Sequence, residues 1–243
     1  MMSRNLILYS VLITLAIGAR ASAKQEVELL HKQAYELLDT DLGKALLLSK
    51  EAEIVAKDAG LEFEEANSLF IQAYIYRQFD ELGKSFVINL KALEILRPLK
   101  DDTSLITYVK ILLNTGEILK QHYAYVDAVK YYDEAIAIAK KHQFTDRLIR
   151  LYYSKAMSLR HNRDYDYALS EIKKALSAAL KANNEYMYVL ALNQKGLIEK
   201  DMGRSEDARK SYQTIIDYQF ERLNSSEYIG QAWHNIAVTF KME

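Results

Sequence analysis

The 243-residue chain contains no cysteine. That excludes disulfides, thiolate metal sites, cysteine nucleophiles and a lipid-modified cysteine anchor. Proline occurs once, at Pro98, and glycine eight times. A β-sandwich would need far more turn residues than this. Long helices with short polar connections fit the composition. Neither charge sign dominates, with 32 basic residues against 33 acidic ones. No broad basic field is therefore available to a nucleic-acid backbone, and no nucleic-acid partner is expected. Phosphate-binding glycine loops and nucleophile elbows are absent. The five histidines, His31, His122, His142, His161 and His234, are scattered without the i, i+4 pairing of a helical zinc site. Carboxylate pairs such as Glu64-Glu65 and Asp101-Asp102 fall on helix starts or solvated faces. Nothing here points to catalysis, a metal or a cofactor.

The first residues carry a targeting pattern. Arg4 is followed by the charge-free apolar run Leu6 to Gly18 and then by the small-x-small sequence Ala21-Ser22-Ala23. This is the layout of a secretory signal peptide. The apolar run has 13 residues, short of the roughly 18–20 that span a bilayer. Residues 1–23 are expected to be removed near Ala23, leaving an exported protein, periplasmic or secreted. Their loss takes Arg4 and Arg20 but no acid, so the mature chain has a net charge of −3. No second long apolar run follows, so no membrane span is expected in the mature chain and it should be soluble.

What the chain does have is a repeat. A small residue, six others and then alanine recur at Ala45/Ala52, Ser85/Ala92, Ala128/Ala135 and Ala168/Ala175, with a weaker copy at Ala208/Ile215. The copies are 40, 43, 40 and 40 residues apart. Self-similarity at such a period signals stacked helical hairpins, each of which contacts only its neighbours.

Periodicity predicts the helices. They are 24–38 with 42–59, 62–78 with 81–96, 104–121 with 125–142, 146–161 with 165–182, and 185–202 with 206–222, followed by 227–241 alone. Leu105, Tyr108, Val109, Leu112 and Leu119 show the i, i+3, i+4, i+7 spacing of one helical face. Gly60 and Gly203 suit left-handed positions past helix ends. Asp102, Thr145, Asp164, Ser205 and Ser226 are candidate N-caps. Connections of two to five residues force antiparallel neighbours.

These residues resemble the tetratricopeptide repeat (TPR) family, whose pattern is W-x2-L-G-x2-Y on the first helix and A-x3-F on the second. Trp233, Ile236, Ala237 and Phe240 match the first-helix pattern best. Looser copies are Leu69-Gln72-Ala73-Tyr76, Leu112-Thr115-Gly116-Leu119, Tyr152-Lys155-Ala156-Leu159 and Leu192-Lys195-Gly196-Glu199. On second helices Ala128/Tyr132 and Ala208/Tyr212 fit well and Ala168/Ile172 fits by character. Ser85/Asn89 and Ala45/Ser49 depart from the pattern, as does Glu199. HEAT-type repeats have similar periods, but the small and aromatic positions favour TPR. The resemblance implies an all-α, right-handed α-solenoid of five hairpins plus a final helix. Its repeats would occupy about 24–60, 61–101, 102–143, 144–183 and 184–224. Residues 225–243 would form a partial repeat or a capping helix.

The resemblance also implies a concave groove lined by first helices. The fourth residue after each small residue of these helices is basic: Arg77, Lys120, Arg160, Lys200 and Lys241. Such a ladder would favour an acidic or carboxylate-bearing protein or peptide. The same residues also sit in last helical turns, where a cation offsets the dipole by roughly 0.3–1 kcal/mol. Groove-facing candidates upstream are Asn67, Phe70 and Tyr74, then Lys110 and Glu117, then Arg150, Tyr153 and Met157. Asn193, Gln231 and His234 complete them. Lys110, Asn114 and Arg150 sit at places used by peptide C-terminus clamps, but Ser154 stands at the second asparagine position. The eighteen tyrosines are read as mainly core. The expected function is an exported scaffold that binds a protein or peptide in its groove, with no catalysis. The alternative is an extracytoplasmic sensor segment of a histidine kinase or transcription regulator, cut after residue 243.

Overall fold

The computed structural model describes residues 2–222 and 226–241, with side chains for 14–218 and 228–241. All of the regular structure among them is α-helical: α1 (Met2–Glu36), α2 (Leu42–Asp58), α3 (Glu62–Gln78), α4 (Leu82–Leu96), α5 (Asp102–Gln121), α6 (Tyr125–Lys141), α7 (Thr145–His161), α8 (Tyr165–Lys181), α9 (Glu185–Asp201), α10 (Ser205–Arg222) and α11 (Ser226–Phe240). Apart from the start of α1, every expected helix end lies within two residues of these bounds. Helix α1 begins at Met2 rather than Lys24. Residues 2–23 contain no proline and only Gly18, so nothing in them breaks a helix running back from Lys24.

The chain forms two compact units, one ending at Ile118 and the other beginning at Leu119. In the first, successive helices from α1 to α4 pack together, and in the second those from α6 to α11 do; alternate helices touch at α1 with α3, α7 with α9, and α9 with α11. These odd-numbered elements are the first helices of the hairpins.

The small-residue motif is the packing code. Ala45, Ala52, Ser85, Ala92, Ala128, Ala135, Ala168, Ala175 and Ala208 are all fully buried. Side chains this short bring helix axes close together. In the first unit, Ser85 Oγ donates to the Ala73 carbonyl at 2.5 Å, so α4 lies directly on the α3 backbone. Val27, Leu30, Ala52, Ala56 and Leu61 form one core cluster there. Ala34, Ala45, Ile71 and Ile75 form another. In the second unit, Val189, Leu192, Ala208, Tyr212, Ile215, Ile216, Ala232 and Ile236 form a core shared by α9, α10 and α11. Burying one such Ile or Leu contributes about 1.5–3 kcal/mol.

The connections follow one design. Past α2 the Gly60 N–H donates to the Lys57 carbonyl and the Leu61 N–H to the Ala56 carbonyl. This is the Schellman pair that ties up otherwise orphaned helix-end carbonyls. The same pair recurs at Asp80/Glu81, Tyr123/Ala124, Gln143/Phe144, Arg163/Asp164, Asn183/Asn184 and Gly203/Arg204. The first residue of each pair has positive φ, from 50° at Asn183 to 73° at Gly203. Gly60 and Gly203 are where they were expected. Five non-glycine residues adopt the same conformation, which composition did not reveal.

Capping differs in detail from expectation. Asp101, not Asp102, accepts from the Ser104 N–H at 3.0 Å. Asp164 precedes α8 but makes no capping bond; its carboxylate accepts from Asn162 at 2.5 Å instead. Thr145 is already helical, and Phe144 occupies the cap position of α7. Asp41 and Asn184 are the caps that sequence inspection missed. The 43-residue step has a simple origin: α5 is 20 residues long where its counterparts α3, α7 and α9 have 17. Pro98 lies in the connection before it, where it ends any continuation of α4.

Candidate functional site

Residues spaced three or four apart on each first helix form one partly exposed face. In the first unit this face carries Asn67, Phe70, Tyr74 and Arg77 of α3, with Lys110 and Glu117 of α5. Asn67 is held from two sides. Its amide nitrogen meets His31 Nδ1 at 3.1 Å and its oxygen accepts from Tyr35 OH at 3.3 Å. His31 Nε2 meets Ser68 Oγ at 2.7 Å, and that hydroxyl donates to the Glu64 carbonyl at 2.9 Å. Ser68 is thus left as acceptor, which sets a neutral imidazole with its proton on Nε2. Burial agrees, holding the His31 pKa down at about 4. Asn67 therefore orients a buried histidine as well as lying on this partly exposed face. The Arg77 guanidinium lies over the Tyr74 ring, 5.5 Å from its centroid, a cation–π contact. Asn114, near Lys110 on α5, is buried, and its amide nitrogen has no hydrogen-bond partner among the described residues.

In the second unit the face is built by α7, α9 and α11. Arg150 is exposed; Tyr153, Met157 and Arg160 are half-buried. Leu190, Asn193, Leu197 and Lys200 follow on α9, then Gln231, His234, Val238 and Lys241 on or just past α11. Asn193 accepts from Asn235 at 2.9 Å, tying α9 to α11. Arg160 Nε donates to Asp201 Oδ2 at 2.7 Å, so this rung of the ladder is already neutralised by an acid one repeat on. His161 stacks on Tyr125 with ring centroids 5.3 Å apart. Burial lowers its pKa first, with the nearby Arg160 and Lys120 adding to the effect. Arg77, Lys120, Arg160 and Lys200 all lie in last turns of their helices, while Lys241 is exposed just past α11. Lys200 makes no ion pair among the described residues.

The structure also reveals polar clusters that were not anticipated. In α3, α7 and α9 the residue before the small position turns toward the second helices. Gln72 donates to Glu53 at 2.6 Å. Lys155 pairs with Asp133 at 2.7 Å and Glu171 at 3.3 Å. Burial opposes its charge, yet the two carboxylates raise its pKa above the ordinary lysine value. Lys195 meets Glu199 at 2.7 Å, and Ser211 bridges both at 2.7 and 2.6 Å. Glu199, which broke the family pattern, is thus a buried and fully paired carboxylate. The sequence signal was the recurring Lys-small pair at Lys155-Ala156 and Lys195-Gly196.

No helix among the described residues is long and apolar enough to cross a membrane. No protein-family model matches the sequence, and no curated protein matches it. Solved structures do. The apo form of RapI superposes with a TM-score of 0.72 at 17% identity, over 85% of this chain and 57% of that one. A signal transduction ATPase with numerous domains and a tetratricopeptide repeat sensor, from Pyrococcus horikoshii, gives 0.76 at 18% identity, over 89% and 33%. Aspartyl phosphate phosphatase F from Bacillus subtilis gives 0.75 at 16% identity, over 96% and 60%. The chain thus spans less than two thirds of each of these proteins. Likeness at such identities concerns the fold and not the chemistry. With its repeating hairpins, buried small-residue stripes and shared first-helix face, the chain has the all-α, TPR-like solenoid fold.

Proposed function

We propose that the chain is an exported scaffold that binds an acidic protein or peptide segment along the first-helix face, with no catalysis of its own. The observation that carries this reading is the composition of that face in the second unit. Tyr153, Met157, Leu190 and Leu197 offer half-buried apolar surface beside the cations Arg150 and Lys200. Asn193 and His234 add hydrogen-bonding groups. Apolar anchors with cations around them suit a ligand carrying both hydrophobic and acidic side chains. A rigid array orders its side of the interface beforehand, which lowers the entropic cost of binding.

Export is supported by the distribution of burial along α1. From Thr14 through Ser22 every side chain is exposed, including Leu15 and Ile17, whereas the buried positions begin at Val27. Cleavage after Ala23 would remove exposed apolar residues and keep Val27, Leu30 and Ala34 in the core. It would also remove Arg20, which donates to the Gly60 carbonyl at 2.9 Å at the surface. Intact mass of the protein from the exporting cell is expected to show Lys24 as the first residue. A retained Met1 would overturn export by cleavage.

The binding test is capture from the cell envelope with residues 24–243 as bait, against an Arg150→Glu/Lys200→Glu control. Both positions leave the core untouched, whereas replacing Arg160 would also strand Asp201. A partner held by the native bait and lost by a still-helical control supports the reading. Equal capture by both across a salt series would refute it. A second reading, a sensor segment of a longer signalling protein, is favoured by the likeness to the Pyrococcus protein with its tetratricopeptide repeat sensor.

A further inference from the structure

A chain of hydrogen bonds at the contact of α1 with α3 runs in one direction. The Tyr35 hydroxyl donates to Asn67 Oδ1 at 3.3 Å, and the Asn67 amide donates to His31 Nδ1 at 3.1 Å. The proton on His31 Nε2 goes to Ser68 Oγ at 2.7 Å, and the Ser68 proton goes to the Glu64 carbonyl at 2.9 Å. One end of the chain is buried and the other reaches solvent. Ser68 and His31 are 0% and 7% exposed, whereas Tyr35 is 43% exposed.

Proton counting fixes each role. A hydroxyl has one proton to give, and an amide donates only through nitrogen and accepts only through oxygen. With the proton on Nε2, Nδ1 must accept. Asn67 therefore turns its nitrogen to the ring and its oxygen to Tyr35, and Tyr35 must donate. A proton added at Nδ1 would set a donor against the Asn67 donor in a buried place, where unmade hydrogen bonds are costly. Half a turn of the Asn67 amide repairs this. Its oxygen then accepts from Nδ1–H and its nitrogen donates to the Tyr35 oxygen, whose own proton leaves the chain for solvent. The bonds of Ser68 are untouched. One proton enters from solvent, none moves on, and every bond is kept.

We propose that His31, Asn67 and Tyr35 form a proton-operated relay, in which proton uptake at the buried imidazole reverses the Asn67 amide and turns the Tyr35 hydroxyl from an inward donor into an outward one. The partly exposed face of the first unit thereby has an acid form with one more hydrogen-bond donor. The relay works whether or not that face binds a partner. Few ionisable groups surround it. α1 contributes Tyr35 itself, and α3 contributes Glu64, whose carboxylate meets Lys24 at 3.5 Å. α2 packs around the flanking residues Leu30 and Ala34 with Ala45, Leu48, Ala52 and Ala56, which carry no charge. Burial alone accordingly lowers the His31 pKa, to about 4.

Nuclear magnetic resonance of the full chain tests the relay, with labelled nitrogen in the histidine rings and labelled carbon at tyrosine Cζ. His31→Gln and Tyr35→Phe assign the two signals. At neutral pH the His31 Nδ1 signal is expected to be that of an unprotonated nitrogen. On acidification His31 should titrate with a midpoint near 4, and the Tyr35 signal should move with the same midpoint. In Asn67→Leu His31 should still titrate while the Tyr35 signal stays flat. In Asn67→Asp the carboxylate can only accept, so the proton affinity of His31 should rise about a hundredfold or more. A Tyr35 signal that ignores the His31 midpoint in the native chain overturns the proposal, as does one that follows it equally in Asn67→Leu. A proton on Nδ1 at neutral pH, or loss of the folded spectrum before His31 titrates, also overturns it. If Asn67→Leu loses its helicity, Asn67→Asp carries the test, and an unchanged midpoint there refutes the relay.

Discussion

Gly196 of α9 lies against the ring of Tyr212 of α10: a Cβ at Gly196 would fall 2.6 Å from Tyr212 Cζ and 2.9 Å from Cδ1. The pair is sixteen residues apart, as are Ala156 and Ile172 in the preceding hairpin. Where the second helix brings a tyrosine, the first helix gives up its methyl group. Where it brings isoleucine, alanine is kept. Volume is conserved across the hairpin rather than at each position. Gly196→Ala is expected to lower stability by about 1–3 kcal/mol, the usual cost of overpacking. Combining it with Tyr212→Ile should recover most of the loss. Urea denaturation of the two single variants and the double variant measures this. An additive double variant would show that the residues do not share space.

Tyr212 is fully buried, and its hydroxyl has no hydrogen-bond partner among the described residues. Burial raises its pKa first, with Asp201 and Glu199 adding to the rise and Arg160 opposing it. A buried unpaired hydroxyl costs about 1–3 kcal/mol. Tyr212→Phe is therefore expected to leave stability unchanged or to raise it. Clear destabilisation in thermal melts would contradict this account.

His31 supplies a pH dependence. Its folded pKa of about 4 lies below the ordinary histidine value of 6.5. Above pH 6.5 neither folded nor unfolded chain holds the proton, and the histidine makes no difference. As pH falls from 6.5 toward 4 the unfolded chain takes up a proton that the folded chain refuses, so stability is lost across that window. Below about pH 4 the loss levels off. It should total roughly 3 kcal/mol. His31→Gln should remove that slope, seen as a difference between the two stability profiles from pH 4 to 6.5. Parallel profiles would exclude His31 as the source.

Arg163 and Tyr123 occupy turns with φ of 67° and 62°, a conformation that costs residues with a Cβ about 1 kcal/mol or more. Arg163→Gly is expected to raise stability by about 0.5–1 kcal/mol, because relief of strain outweighs the added freedom of the unfolded chain. The urea midpoint of the variant should rise with an unchanged slope.

Lys195→Met should cost about 3–5 kcal/mol, since it leaves buried Glu199 without its counter-charge. Lys195→Met/Glu199→Leu should regain most of that, although Ser211 loses two partners. A denaturation cycle over the four proteins gives the coupling. A single variant as stable as the native chain would show that the pair carries no net interaction.

Much of the fold was legible because it is written in local spacing. Apolar residues at helical intervals and small residues every 40 placed ten helices to within two residues at each end and marked the buried stripe. Gly60 and Gly203 announced their turns. Gln143, Arg163 and Tyr123 did not, since no side-chain property marks a residue held left-handed by the Schellman bonds around it. The groove face was legible as a set of positions on first helices. Its electrostatics were not. Arg160 reads as a free cation in sequence, yet its partner Asp201 stands 41 residues away.

Sequence by itself determined the all-helical class, the 40-residue period and the residues that pack, because periodicity and side-chain size act within a helix and its nearest hairpin partner. Tertiary structure alone decided which charges remain available and which polar groups are held inward. Arg160 with Asp201, Asn67 with His31, and Lys155 with Asp133 and Glu171 meet only once hairpins stack. Such pairings depend on distances of a few ångströms between distant parts of the chain, and the spacing of residues along one helix carries no record of them.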